Sequence, residues 1–275
     1  MLMRKSLGIV ATLAGAFGAA IITCSTATGT VDAAEQVKPE ISEEASAALL
    51  RMGQTLSAQQ FAFRANTIRA YSDAGGESLH IFHTMKVTVR RPNRLLADLT
   101  GDDGSDKLVF DGKTLTIYSA QEKKYASTSV PEGTTIDGML KEAVSRYGVD
   151  FPLADFLSEA PNKAFLTGVT SGRVVNTVTI DGAPYDHLFF FQPPGIELEL
   201  WLSKNEQSLP RRLIVTYRSL PGQPNFIAEF SDWNFNVHTS DPEFVFQPPA
   251  DAVQVSLKPP ATTTATTSKA KGGKK

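Results

Sequence analysis

Four histidines, His80, His83, His187 and His238, are the first residues to test for chemistry. His80 and His83 lie three apart in an alternating stretch. A strand sends them to opposite faces, so they cannot share one metal ion. His187 follows Asp186, a pairing that reads as ordinary surface. Asp102, Asp103 and Asp106 crowd one turn, where calcium would find oxygen ligands, but a solvated turn accounts for them more simply. Glu197 and Glu199 share a strand face, as many solvated pairs do. Neither a G-x-S-x-G elbow nor a glycine-rich phosphate loop occurs. The one cysteine, Cys24, lies near the N-terminus, leaving the rest without a thiol for disulfides, zinc-thiolate sites or covalent catalysis. These residue types predict a non-enzymatic protein with no metal or cofactor. One oddity remains. Arg91 stands at the end of a strand face that is apolar except for His83.

That strand opens the stretch around which the chain is organised, residues 77–130. Leu79, Ile81, Met85, Val87 and Val89 alternate with His80, Thr84, Lys86, Thr88 and Arg90, and only Phe82 breaks the polar set. A period of two puts the apolar set on one side of a sheet. The same parity puts Arg91 on that side. An inward Arg91 must find carbonyls or a carboxylate, because an unpartnered buried cation costs several kcal/mol. An outward Arg91 is a strand-end residue in solvent. Both readings are open at this point. Turns at 91–94, 102–104 and 111–113 divide the stretch into antiparallel strands.

Around this meander, Ile41, Ala45, Ala48, Leu49, Met52 and Leu56 recur at three and four, predicting a helix over 39–57. Residues 59–72 read as a strand with Phe61, Phe63 and Ala65 on one side. Ile136, Met139, Leu140, Ala143, Val144 and Tyr147 predict a second amphipathic helix over 136–147. A shorter helical stretch follows at Leu153–Leu157. From 164 to 257 the pattern returns to strands: AFLTGV, GRVVNTVTI, DHLFFFQ, IELELWLS, PRRLIVTYRS, NFIAEFSDWNFN and the closing Phe244-Val245-Phe246 segment. Trp201 and Trp233 read as packing residues. Helices inserted between two runs of strands must cover one face of the sheet.

The chain has 275 residues, 41% of them hydrophobic, and a formal charge of −2. That suffices for one large all-β or α+β domain and argues against a nucleic-acid partner. Residues 1–33 predict a secretory signal: Arg4 and Lys5, an apolar small-residue run, then Val31-Asp32-Ala33. Two alternatives stand beside cleavage, a retained membrane anchor and lipidation at Cys24, where Ile21-Ile22-Thr23-Cys24 resembles a lipoprotein box. Residues 34–258 then form the folded domain, with 21 cations against 28 acids. Residues 259–275, with four lysines and no acid, predict a disordered basic tail.

Three segments carry a resemblance. They are Val89-Arg90-Arg91-Pro92-Asn93, Phe110-Asp111-Gly112-Lys113-Thr114-Leu115-Thr116-Ile117-Tyr118 and Phe244-Val245-Phe246-Gln247-Pro248-Pro249. Their order and spacing across residues 42–255 resemble the periplasmic lipoprotein carriers of the LolA/LolB type. Tyr147–Asp155, Trp201-Leu202-Ser203, Leu209-Pro210-Arg211-Arg212 and Ser231-Asp232-Trp233 resemble more closely an uncharacterised bacterial periplasmic family of that fold.

The resemblance implies an α+β fold: an open antiparallel β half-barrel with amphipathic helices covering its concave face. It implies a periplasmic location and a cavity for acyl chains between sheet and helical lid. Arg91 matches the carriers' arginine before Pro-Asn, which hydrogen-bonds to the lid and holds it shut. The segment 131–162 departs from the pattern, being longer and more structured than the carriers' lid.

The expected ligand is the acyl chain of a lipid or lipoprotein. The candidate lining is Ile81, Met85, Val87, Val89, Ile117, Met139, Leu140, Phe156, Leu198 and Leu200, with Arg91 as lid latch. Burying about ten methylenes would contribute on the order of 8 kcal/mol before ordering costs. The alternative is a module that docks an envelope protein or senses envelope state through its helices. The sequence leaves open whether the space is empty or filled by the protein's own side chains.

Overall fold

The computed structural model describes residues 40–257 apart from Ala74 and Asp150. The expected signal segment, Cys24 and the basic tail lie outside the described residues.

The described chain starts with helix α1 (Glu43–Leu56). Ser42 caps it by accepting the Ala45 N–H, and Glu43 and Glu44 sit in the first turn, where the helix dipole favours acids. Its stripe of Ala45, Ala48, Leu49, Met52 and Leu56 is buried, as the spacing predicts. A first meander follows: β1 (Gln60–Ser72), β2 (Ser78–Arg90), β3 (Arg94–Gly101), β4 (Gly104–Phe110), β5 (Thr114–Ser119) and β6 (Lys124–Ser129). The chain then inserts α2 (Ile136–Tyr147), α3 (Ala154–Leu157) and α4 (Pro161–Phe165). A second meander returns as β7 (Ser171–Ile180), β8 (Ala183–Gln192), β9 (Ile196–Ser203), β10 (Pro210–Tyr217) and β11 (Asn225–Asn234). A single 3₁₀ turn, Asp241–Phe244, precedes the two-residue β12 (Val253–Gln254).

All twelve strands belong to one open sheet, in the order β12-β6-β5-β4-β3-β2-β1-β11-β10-β9-β8-β7. The fold is therefore α+β, an antiparallel half-barrel with helices on one face. Among the described strands, β12 and β6 form the only parallel pair, and an isolated parallel bridge joins Ile41 to Gly172 of β7. The two meanders meet at one seam, β1 against β11, with Ala65 opposite Phe230 and Arg69 opposite Phe226.

The inner face follows the expected parity. Phe61, Phe63 and Ala65 of β1 and Met85, Val87 and Val89 of β2 are buried in a core shared with all four helices. On β2 this core ends at Met85. Ile81 is half-buried and Leu79, although on the same face, is 39% exposed.

Two sequence expectations are corrected. Residues 164–169 do not form a strand. Pro161 opens α4 instead, where its fixed φ and missing N–H suit a first helical turn. Phe165 then drops between Phe156 (6.1 Å) and Phe190 (5.4 Å), a contact made from the helical layer and not from the sheet. The second correction is Phe244-Val245-Phe246. Phe244 ends the 3₁₀ turn, and Phe246 packs on the outer face against Tyr118 (5.4 Å) and Tyr125 (5.3 Å).

Candidate functional site: the junction of sheet and helices at Arg91

The turn after β2 is the point where sheet and helices are joined. The Arg91 N–H donates to the Gln59 carbonyl (2.7 Å), and the Pro92 carbonyl accepts the first N–H of α2, from Ile136 (2.9 Å). The Arg91 guanidinium is turned inward, over the ring of Phe61 (5.9 Å). Its Nη1 donates to the Leu157 carbonyl (2.7 Å), and its Nη2 to the carbonyls of Ser158 (2.7 Å) and Leu56 (3.0 Å).

Those acceptors are chemically particular. Leu56 ends α1 and Leu157 ends α3. Carbonyls at a helix end lack intrahelical donors and carry the negative pole of the dipole, so a guanidinium complements both at once. Burial pulls the Arg91 pKa down, opposed by the charges of Asp137 and Glu159. Its Nε is buried without a hydrogen-bond partner. Asp137, in the first turn of α2, accepts from Glu159 N (3.0 Å) and Ser158 Oγ (3.3 Å). One arginine and one aspartate thus tie the sheet to α1, α2 and α3.

The helices are locked to one another by close approach. A Cβ at Gly53 of α1 would lie 2.7 Å from Asn162 Oδ1 of α4, so only glycine permits this contact. The far side of α1 is anchored to the β9–β10 turn, with Arg51 Nε donating to Ser208 Oγ (3.1 Å) and Thr55 Oγ1 to the Gln207 carbonyl (2.8 Å).

The candidate lining spreads over the inner face, from Val89 beside this junction to Leu198 in the row of Ile81. Met85, Val87, Val89, Met139, Leu140, Phe156, Leu198 and Leu200 are all buried in one core, none more than 9% exposed. Ile117 packs against its border, and Ile81 lies at the rim. These side chains fill the space with one another and with the helices. Two hollows lie elsewhere. One, of about 510 Å³, includes Ile68, Phe82, Thr84 and Ile227 of the outer face. The other, of about 290 Å³, runs between Leu96, Val109 and Tyr118 and the Val245–Pro249 segment. Neither is lined by a residue of the candidate set.

The ionisable residues singled out in the sequence have separate fates. Asp103 pairs with His83 (2.6 Å), and Asp102 accepts the Phe82 N–H (3.0 Å). Asp106 turns onto the inner face, where burial pushes its carboxyl above the ordinary range, against a hydrogen bond with Ser119. His187 pairs with Glu199 (2.8 Å) and stacks on Trp201 (4.0 Å). Trp233 stacks on Phe63 (4.6 Å) within the aromatic core. No three metal-ligating side chains converge among the described residues.

Sequence reasoning missed Asp137, because an acid in a first helical turn looks like an ordinary dipole partner. It also missed that Arg90 and Arg91 divide their work. Arg90 faces outward, ion-pairs with Asp241 and lies over Phe244 (5.1 Å). That hydrogen bond holds the Asp241 carboxyl below its usual range.

Similar folds occur among solved structures. An uncharacterised conserved protein of Thermus thermophilus matches 78% of this chain and 99% of its own length, with 10% identity and a TM-score of 0.47. The Mycobacterium tuberculosis lipoprotein LppX matches 72% of this chain and 100% of its own, with 16% identity and a TM-score of 0.42. A LolA superfamily protein of Nitrosomonas europaea matches 73% and 97%, with 11% identity and a TM-score of 0.36. No curated protein matches the sequence. The family model described as "Predicted periplasmic protein (DUF2092)" matches residues 45–258, which spans both meanders and the helices between them. The periplasmic location expected from the sequence agrees with that description, and the chain belongs to the DUF2092 family of predicted periplasmic proteins.

Proposed function

We propose that the protein is a non-enzymatic periplasmic binder of an acyl chain, taken up between the inner sheet face and the helices. The observation that carries this is Arg91. Its three hydrogen bonds to helix-end carbonyls concentrate the polar attachment of the lid at one residue, above an interface that is otherwise apolar. An interface of apolar contacts can exchange its own side chains for a hydrocarbon chain at little net cost in burial. In this reading the structure is the closed, self-filled state, and ligand entry breaks the Arg91 bonds. The resemblance of Val89–Asn93 to the carriers' latch segment supports the same role.

Native mass spectrometry of the protein purified from the envelope, together with uptake of a fluorescent fatty acid, tests it. Bound lipid in the wild type, with changed occupancy in Arg91→Leu, is the expected outcome. A clean apo mass and no uptake in either protein overturns the proposal.

A second reading rests on Phe82, which is 53% exposed beside the outer hollow with Ile68 and Ile227. An aromatic in that position suits a docked protein segment. Phe82→Ser should then abolish capture of a specific envelope protein while leaving lipid occupancy unchanged.

A further inference from the structure

The inner face carries a second inward cation, on β1, in a row that the core reaches on β8, β9 and β11 but not on β1 and β2. In the strand register Ile81, Arg69, Phe226, Val215, Leu198 and Phe190 stand in one row across β2, β1, β11, β10, β9 and β8. Every member but Arg69 is apolar. The Arg69 guanidinium lies over the Phe226 ring at 5.9 Å, which fixes its side of the sheet, and it makes no ion pair among the described residues. In the next row outward Leu79 faces Tyr71, and these two are 39% and 38% exposed. The arrangement is an apolar ledge two strands wide, set off from the core on β1 and β2 by Thr67 and by His83 with its partner Asp103, joined to the core sideways through Phe226, and carrying one cation without an ion-pair partner.

We propose that Arg69 receives the carboxylate of a single-chain fatty acid whose hydrocarbon enters the core alongside Val215 and Leu198. This rests on the acyl-binding reading above and adds the head group to it. The charge argument is direct. A half-buried guanidinium without a counter-ion gains most from a ligand that brings one, and its planar donors match a carboxylate in two-point contact. The acids on this face do not compete. Asp103 is engaged by His83, and Asp106 lies on β4, three strands from Arg69, or about 14 Å at ordinary strand spacing. A ledge two strands wide, about 10 Å, suits one chain and not two.

The test is displacement of the neutral dye N-phenyl-1-naphthylamine from the mature protein at pH 8, by oleate, oleyl alcohol and oleoyl-lysophosphatidylglycerol. Wild type, Arg69→Gln and Arg69→Lys are compared, with thermal unfolding as the folding control. Oleate should displace the dye about tenfold more effectively than the alcohol in wild type, as one charge-assisted contact gives. That preference should shrink to below about twofold in Arg69→Gln and persist in part in Arg69→Lys. Equal displacement by oleate and alcohol, or a preference unmoved by Arg69→Gln, overturns the head-group assignment while leaving acyl binding intact. Stronger displacement by the lysophospholipid than by oleate overturns the choice of a carboxylate. Failure of the dye and of all three amphiphiles to bind removes the acyl reading itself, and this inference with it.

Discussion

Arg90 and Arg91 are neighbours that act on opposite sides of the sheet, because successive strand residues alternate. Arg91 holds three helix-end carbonyls, so its loss orphans acceptors as well as removing a charge. Arg91→Leu should lower stability to urea by about 3 kcal/mol, with Arg91→Lys intermediate. Hydrogen exchange should quicken at the ends of α1 and α3 before it quickens in β2. Unchanged exchange there would show that the helices are held by packing alone. Asp106 allows a pH experiment. Its folded pKa is raised by burial, so the ionised form is the disfavoured one. Its destabilising effect is absent at low pH, where the carboxyl is protonated in both states, and full above the raised folded value. Asp106→Asn should therefore unfold at a higher temperature than wild type at pH 7, with the gain vanishing below about pH 4. Parity alone pointed Arg91 inward from the sequence. Its partners were not legible, because backbone carbonyls at helix ends carry no residue signature.

Among the elements, α1 and α2 were legible because each repeats apolar residues at three and four and carries an N-terminal cap, Ser42 and Thr135. The short α4 was not. Five residues are too few for a period, and Phe165 and Val169 read equally well as strand. What fixes α4 is tertiary, the contact of Gly53 with Asn162. Gly53→Ala should destabilise by about 1–3 kcal/mol through that overlap, despite alanine's better helix propensity. In an Asn162→Gly background the sign should reverse, and thermal unfolding of the four-variant cycle measures both effects. The segment after β11 is a further element with a distinct task. Arg90 pins its start through Asp241, Phe246 covers Tyr118 and Tyr125, and β12 pairs with the edge of β6. An unpaired strand edge invites association with another chain. A chain truncated after Ser240 should form dimers or larger species in size-exclusion chromatography with light scattering, and the untruncated chain should not.

At the scale of the whole molecule, the strands within each meander were legible because each is joined to the next by a short turn. The seam was not, since residue 69 meets residue 226 and residue 62 meets residue 234. Nothing local links them, and only the shared inner-face burial of Ala65, Thr67, Ala228 and Phe230 makes the pairing worth its loop closure. The self-filled core was equally invisible, because alternation states which side chains face inward and not whether they meet. The seam has a consequence for how the molecule comes apart. Between β6 and β7 the polypeptide passes from one meander to the other only through the helical segment. Cutting the chain after Gly148 therefore severs no strand pairing. The two pieces would remain bound through the β1–β11 ladder and through Arg91 of one piece gripping Leu157 and Ser158 of the other. Co-expressed halves should assemble one to one, each serving as the template on which its counterpart completes its structure, so the protein can be converted into a split pair whose reunion reports that two fused partners have met.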